Sequence, residues 1–146
     1  MNIEEKIKEI KTNEKGMNKL KDSLLSEFFS LLLGAKLIGH IHHFKTTGKS
    51  SYAKHKALDE FYSEANDIAD KIIEVYQGNQ KELVCFDKED LVYGLEEETL
   101  EYLNTLYQTI EDCRKHDKLK ASNIQNEIDN FLSLIDQTVY KLTFLE

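Results

Sequence analysis

Histidines and acidic residues recur at helical spacing in the first half of this 146-residue chain. His55 precedes Asp59 by four positions, and Asp70 precedes Glu74 by the same interval. Side chains at positions i and i+4 share one face of a helix, so each pair can reach the same ion. Imidazole nitrogens and carboxylate oxygens are the ligands with which helical bundles hold transition-metal ions. The two pairs therefore predict metal binding.

One chain cannot bring both pairs to a single ion. His55 and Asp70 are fifteen positions apart, which corresponds to about 22 Å of helix, whereas metal–ligand bonds are only about 2 Å long. Two chains related by a two-fold axis can do so if these helices run antiparallel. His43, His55 and Asp59 of one chain would then face Asp70 and Glu74 of the other, and the symmetry would generate two such sites.

The elements that position these residues are predicted to be helices, because the chain has no proline and only six glycines. Apolar residues recur with a period of 3.6 over four stretches, at about 18–46, 51–77, 100–113 and 122–146. Residues 79–96 have the weakest helical pattern and are predicted to form a longer crossover connection. This pattern predicts an all-α fold, a ferritin-like four-helix bundle with its longer crossover between the second and third helices.

Three local features refine this picture. Asp87 is predicted to cap a short helical turn within the crossover, after an apolar plug formed by residues 84–86. Residues 122–125 match a capping box at the start of the last helix. Cys85 and Cys113 are predicted to be buried apolar fillers.

Length and composition indicate one globular domain over residues 1–146, with residues 1–16 as an N-terminal arm or short helix. The net charge of −8 argues against binding nucleic acid through phosphate neutralisation, and acidic residues nearly balance the lysines of the arm. DNA binding is therefore not predicted. Two cysteines indicate a reducing compartment, which we expect to be the cytoplasm. No membrane span is expected, because polar residues interrupt the apolar stretch 24–41.

The segment 43–48, followed by His55, Asp59, Asp70 and Glu74, resembles the ferroxidase signature of the Dps family of miniferritins. In that family a histidine at the end of the first helix precedes an aromatic residue and a Lys-Gly turn. A second histidine follows twelve positions later, an acidic residue four positions after it, and an Asp-x-x-x-Glu pair lies further along the second helix. All five ligand positions match in residue type and spacing.

The resemblance implies that His43, His55, Asp59, Asp70 and Glu74 bind Fe(II) and carry its oxidation by peroxide or dioxygen. It also implies a homo-oligomer, at least a two-fold dimer and by family likeness a dodecamer, that stores ferric iron and protects against oxidative damage. The alternative is a helical scaffold or interaction protein of ferritin-like fold without ferroxidase activity.

Three neighbouring positions leave questions open. Phe44 stands where the Dps family usually has tryptophan. His40 lies one turn before His43 and is either a partner of the ligands or an outer ligand. The sequence assigns no role to His42.

Overall fold

The computed structural model describes residues 2–9 and 23–145, and within these ranges the chain forms helices and no strand. Residues 3–9 are helical. The remaining helices are α1 (Ser23–Lys45), α2 (Ser51–Gln80), the short α3 (Lys88–Leu91), α4 (Thr99–Cys113) and α5 (Ser122–Phe144). A single 3₁₀ turn, Asp117–Leu119, lies between α4 and α5. The predicted all-α fold is confirmed.

The four long helices surround one apolar core. Helix α1 packs against α2, α2 against α5, α5 against α4, and α4 against α1. The links 46–50 and 114–121 are short, so each joins two antiparallel helices. Among the largest fully buried side chains are Phe28, Phe29, Phe61, Tyr76, Tyr102 and Phe131.

The link 81–98 between α2 and α4 runs along the length of α1. Near the start of α1, the amide of Asp87 donates a hydrogen bond to Ser30 Oγ (2.8 Å). Near the end of α1, His42 is hydrogen-bonded to the carbonyl oxygen of Gly94 (2.8 Å). The link thus returns the chain to the end of the molecule at which α2 began, and α2 and α4 run parallel.

The crossover agrees only in part with its predicted features. Asp87 caps α3 as expected, because its side chain accepts hydrogen bonds from two backbone amides of that helix. Val84 packs against the core, but Cys85 and Phe86 are exposed. Of the three residues predicted to form an apolar plug, only Val84 therefore packs against the core. Cys85 is exposed, so its predicted burial was wrong, whereas Cys113 is buried as predicted.

Two helix ends differ from the prediction. Helix α2 continues past Gly78 and ends where the amide of Lys81, in a left-handed conformation, donates to the carbonyl oxygen of Gln77. Helix α5 has Ala121 as its N-cap, so the capping box is not formed. The side chain of Gln125 instead donates to carbonyl oxygens of the preceding link. Residues 10–22, in which the arm and the first helix were predicted to meet, lie outside the described residues.

Helix α1 is long and apolar enough to cross a membrane, although no membrane span was predicted from the sequence. More than half of its apolar stretch is buried inside the protein. The core helix of a soluble protein passes the same test of length and composition. We therefore interpret α1 as the central core helix.

Candidate histidine and carboxylate site

His43 and His55 lie against each other where α1 ends and α2 begins. Their ring centroids are 3.4 Å apart. His43 Nδ1 is 2.8 Å from the carbonyl oxygen of His55, and His55 Nδ1 is 3.1 Å from the carbonyl oxygen of His43. The short link after α1 reverses the chain and permits this crossed pair of hydrogen bonds. Two of the five predicted ligands are thus brought together within one chain.

The crossed hydrogen bonds determine which ring nitrogen can bind a metal. A carbonyl oxygen can only accept, so each Nδ1 must carry the proton and donate. In the neutral imidazole, Nε2 then keeps its lone pair. Histidines that bind metals commonly donate their other N–H to a carbonyl or carboxylate oxygen in this way. His55 is exposed, whereas His43 is 8% exposed. The pair therefore offers two Nε2 donors of fixed tautomer.

Asp59 is one helical turn beyond His55 and is held by a tyrosine. The hydroxyl of Tyr62 donates to Asp59 Oδ1 at 2.6 Å, and this bond is the main reason that the pKa of Tyr62 is raised. The ring of Tyr62 packs edge-on against His43, with centroids 5.5 Å apart. Tyr62 was not among the residues predicted for this site. Its position three residues after Asp59, on the same helical face, was the available signal.

His40, on α1, packs against the ring of Tyr62. Its ring stacks on Tyr62 with a centroid distance of 4.3 Å and on Phe44 at 4.5 Å. Helices α1 and α2 approach closely here, because a Cβ at Gly39 would lie 2.9 Å from the ring of Phe61 and 3.0 Å from Cβ of Tyr62. Glycine at this position thus permits the stacking that holds His40 beside the pair.

His42 points away from the site and has a structural role. Its Nε2 donates to the carbonyl oxygen of Gly94, and its Nδ1 accepts from the hydroxyl of Thr99 at 2.7 Å. The ring is buried and stacks on Tyr102. Both ring nitrogens are occupied, so His42 has no donor left for a metal. Its hydrogen bonds connect the end of α1 to the crossover at Gly94 and to the start of α4 at Thr99.

Asp70 and Glu74 lie further along α2, as the sequence predicts. Both are exposed and take part in no hydrogen bond or ion pair within residues 2–9 and 23–145. The unbroken α2 keeps Asp70 about 22 Å and Glu74 about 28 Å from His55 along the helix axis. Within the described part of one chain, no three His, Cys, Asp or Glu side chains meet as a metal-binding group. One chain thus contributes candidate ligands at two places, at the junction of α1 with α2 and further along α2.

The protein is therefore all-α, and the pair His43 and His55 lies near Asp59 where α1 ends and α2 begins. The chain belongs to DUF5856, a family of unknown function whose model matches residues 43–142. That range includes all five predicted ligands.

One curated relative is similar over part of its length. It is an uncharacterized 14.6 kDa protein from the mobD-ri intergenic region of Enterobacteria phage T4, 43% identical over 58 residues. The match covers 40% of this chain and 43% of that protein, so the chain spans less than half the length of this relative. No solved structure matches the chain.

Proposed function

We propose that this protein is a Dps-like miniferritin that binds Fe(II) between two copies of the chain, oxidises it and stores the ferric product. The observation that carries the proposal is the crossed hydrogen bonding of His43 and His55, which leaves both Nε2 atoms available as ligands. Asp59, one turn from His55, supplies a carboxylate on the same edge of the molecule. The proposed donor set suits iron, which both imidazole and carboxylate ligands bind.

The connectivity supports a ferritin-like bundle. Ferritin-like folds have four helices and one long crossover connection. Here the crossover 81–98 spans the molecule and makes α2 parallel to α4, while the other two links are short. Each long helix has two neighbours around a common core. This arrangement supports the proposed fold.

A second copy of the chain would complete the ligand set. Because α2 separates His55 from Asp70 by about 22 Å, we propose that the partner's α2 runs antiparallel and supplies the carboxylates of Asp70 and Glu74. On the same face of α1 as His40, the apolar side chains of Leu37 and Phe44 are 53% and 68% exposed. Exposed apolar side chains beside a half-complete site favour an interface that covers both.

In this proposal, the ligand residues bind and orient iron and favour its oxidation from Fe(II) to Fe(III). The two imidazoles hold Fe(II), and the carboxylates stabilise Fe(III) more strongly than Fe(II), which makes loss of an electron easier. With hydrogen peroxide, two Fe(II) ions each lose one electron, and the peroxide takes up both electrons and two protons to give two water molecules. The net charge of −8 also attracts the cationic substrate.

Mixing two inactive variants tests the shared site. His55→Ala and Glu74→Ala should each lose Fe(II)-dependent oxidation, followed in the near ultraviolet after anaerobic Fe(II) loading and addition of peroxide. In a mixed dimer, one site carries both defects and the other combines the native His55 of one chain with the native Glu74 of its partner. Unfolding and reassembling the two variants together should therefore restore part of the activity.

Asp67→Ala is the matched control, because Asp67 is another exposed acidic residue of α2. It should stay active alone, and mixing it with the native protein should leave the activity unchanged. If mixed assemblies form by native mass but show no recovered activity, the site is not shared between copies. If His43→Ala,His55→Ala oxidises iron as the native protein does, the proposed function is wrong, and the scaffold interpretation is favoured.

A further inference from the structure

We propose that Tyr62 is a positioning residue of the metal site, which fixes the carboxylate of Asp59 so that a single oxygen, Oδ2, faces the metal ion. The inference rests on the proposed function and adds to it the coordination mode of one ligand. Its starting point is the 2.6 Å hydrogen bond from the Tyr62 hydroxyl to Asp59 Oδ1.

The ring of Tyr62 is itself held from two sides. His40 stacks on one face of it at 4.3 Å, with an angle of 22° between the rings, and His43 packs against it edge-on at 5.5 Å. Helix α1 also passes close to Tyr62 at Gly39, where an added Cβ would lie 3.0 Å from the Cβ of Tyr62. Because these contacts set the position of the phenol, rotation of Asp59 would lengthen or break the hydrogen bond. The hydrogen bond therefore favours one orientation of Asp59.

The restricted orientation affects how Asp59 can bind a cation. The bond from Tyr62 occupies Oδ1 and draws negative charge from it, so Oδ2 is the better ligand. Binding through one oxygen leaves coordination positions for the imidazoles and for the partner's carboxylates. It also disfavours Ca²⁺, which accepts bidentate carboxylates and a larger number of oxygen ligands. Tyr62 thereby contributes to the selection of a transition-metal ion.

Co(II) alone is a suitable probe, because it does not need an oxidant and its visible absorption reports coordination number. Tyr62→Phe removes the hydroxyl and keeps the ring that stacks on His40. We expect the full-length assembled variant to bind Co(II) about tenfold more weakly, the scale of losses when a partner of a ligand is removed. Its absorption spectrum should change as Asp59 becomes free to use both oxygens. Tyr52→Phe is the matched control, since Tyr52 is 79% exposed on the same helix and should leave both properties unchanged.

A double-mutant cycle separates positioning from a general effect on folding. In an Asp59→Asn background, Tyr62→Phe should no longer alter Co(II) affinity, because the phenol acts through the carboxylate. Unchanged affinity and spectrum in Tyr62→Phe would overturn this inference and leave the proposed function intact. An equal loss in both backgrounds would also overturn it, since the tyrosine would then act on packing. If the native protein binds no Co(II) or Fe(II), the proposed function fails together with it.

Discussion

At the scale of single residues, two adjacent histidines have opposite roles because their side chains leave α1 in different directions. His43 turns toward α2 and keeps Nε2 available, whereas His42 turns toward α4 and uses both nitrogens in hydrogen bonds. A buried polar group that loses its partner costs about 1–3 kcal/mol. The contribution of His42 should therefore appear in stability.

His42→Leu should lower the free energy of unfolding by about 2 kcal/mol, because the buried carbonyl oxygen of Gly94 and the hydroxyl of Thr99 lose their partner. Denaturant unfolding followed by circular dichroism measures the change. Lys45→Ala is the control: its amine binds the carbonyl of Leu95 in the same crossover, but at an exposed position. That variant should differ from the native protein by less than about 0.5 kcal/mol. Equal stabilities for both variants would contradict the structural role of His42.

Glu27 and Asp90 bring two carboxyl groups together where α3 meets α1. Burial raises the pKa of Glu27 above 4.5, and the charge of Asp90 adds to the effect. Burial also raises the pKa of Asp90 above 3.8, together with Asp87 and Glu89. A carboxyl group with a raised pKa in the folded state favours folding when protonated. That contribution is lost as the pH rises through the raised value.

Glu27→Gln should therefore be more stable than the native protein at pH 7, with a higher Tm. The difference should shrink as the pH falls toward and below 4.5, where the native Glu27 also becomes neutral. Thermal unfolding across this pH range tests the sign. Glu64→Gln, an exposed acidic residue of α2, should show no comparable gain. A native protein that is more stable than Glu27→Gln at pH 7 would show that the charged carboxylate is favourable.

At the scale of elements, the crossover lies against α1 because Gly34 leaves room for it. A Cβ at position 34 would collide with the backbone carbonyl of Leu91, which cannot move by a side-chain rotation. By contrast, nothing lies within 4 Å of a Cβ at Gly78 in α2. Substitution by alanine should therefore have opposite effects on stability at these two helical glycines.

Gly34→Ala should destabilise the protein by about 1–3 kcal/mol, because α3 must move away from α1. Gly78→Ala should stabilise it by roughly 0.5–1 kcal/mol through the higher helix propensity of alanine. Denaturant midpoints measured side by side test the pair. If both substitutions shift the midpoint in the same direction, the crossover does not depend on the close approach at Gly34.

At the scale of the whole molecule, the chain exposes apolar side chains where a partner is proposed. Leu37→Glu should break the assembly into single chains of 17.0 kDa and abolish iron oxidation, while the helical circular dichroism remains. Native mass spectrometry measures the assembly, for which we expect a dimer at least and twelve copies by family likeness. Leu83→Glu, at an 84% exposed leucine of the crossover, is the control and should remain assembled. A native protein that is monomeric at micromolar concentration would exclude the shared site.

The sequence by itself determined the helical fold and the positions of the candidate ligands along α2. Both depend on local periodicity: apolar residues spaced by 3.6 set the buried face, and intervals of four set which polar residues share an exposed one. The cap at Asp87 was predictable for the same reason, since it is encoded within a few residues. The crossover was predictable as a stretch without helical periodicity, but its path along α1 was not.

Only the tertiary structure decided what each candidate residue touches. The crossed bonds of His43 and His55, the burial of His42 and the fixed position of Tyr62 depend on how closely α1 approaches α2 and the crossover. Gly34 and Gly39 permit that approach, and a glycine in the sequence does not reveal which backbone or ring will lie against it. Contacts between residues distant in sequence arise from packing. Helical periodicity shows which face of a helix is buried, but it does not show which residues of other helices pack against that face.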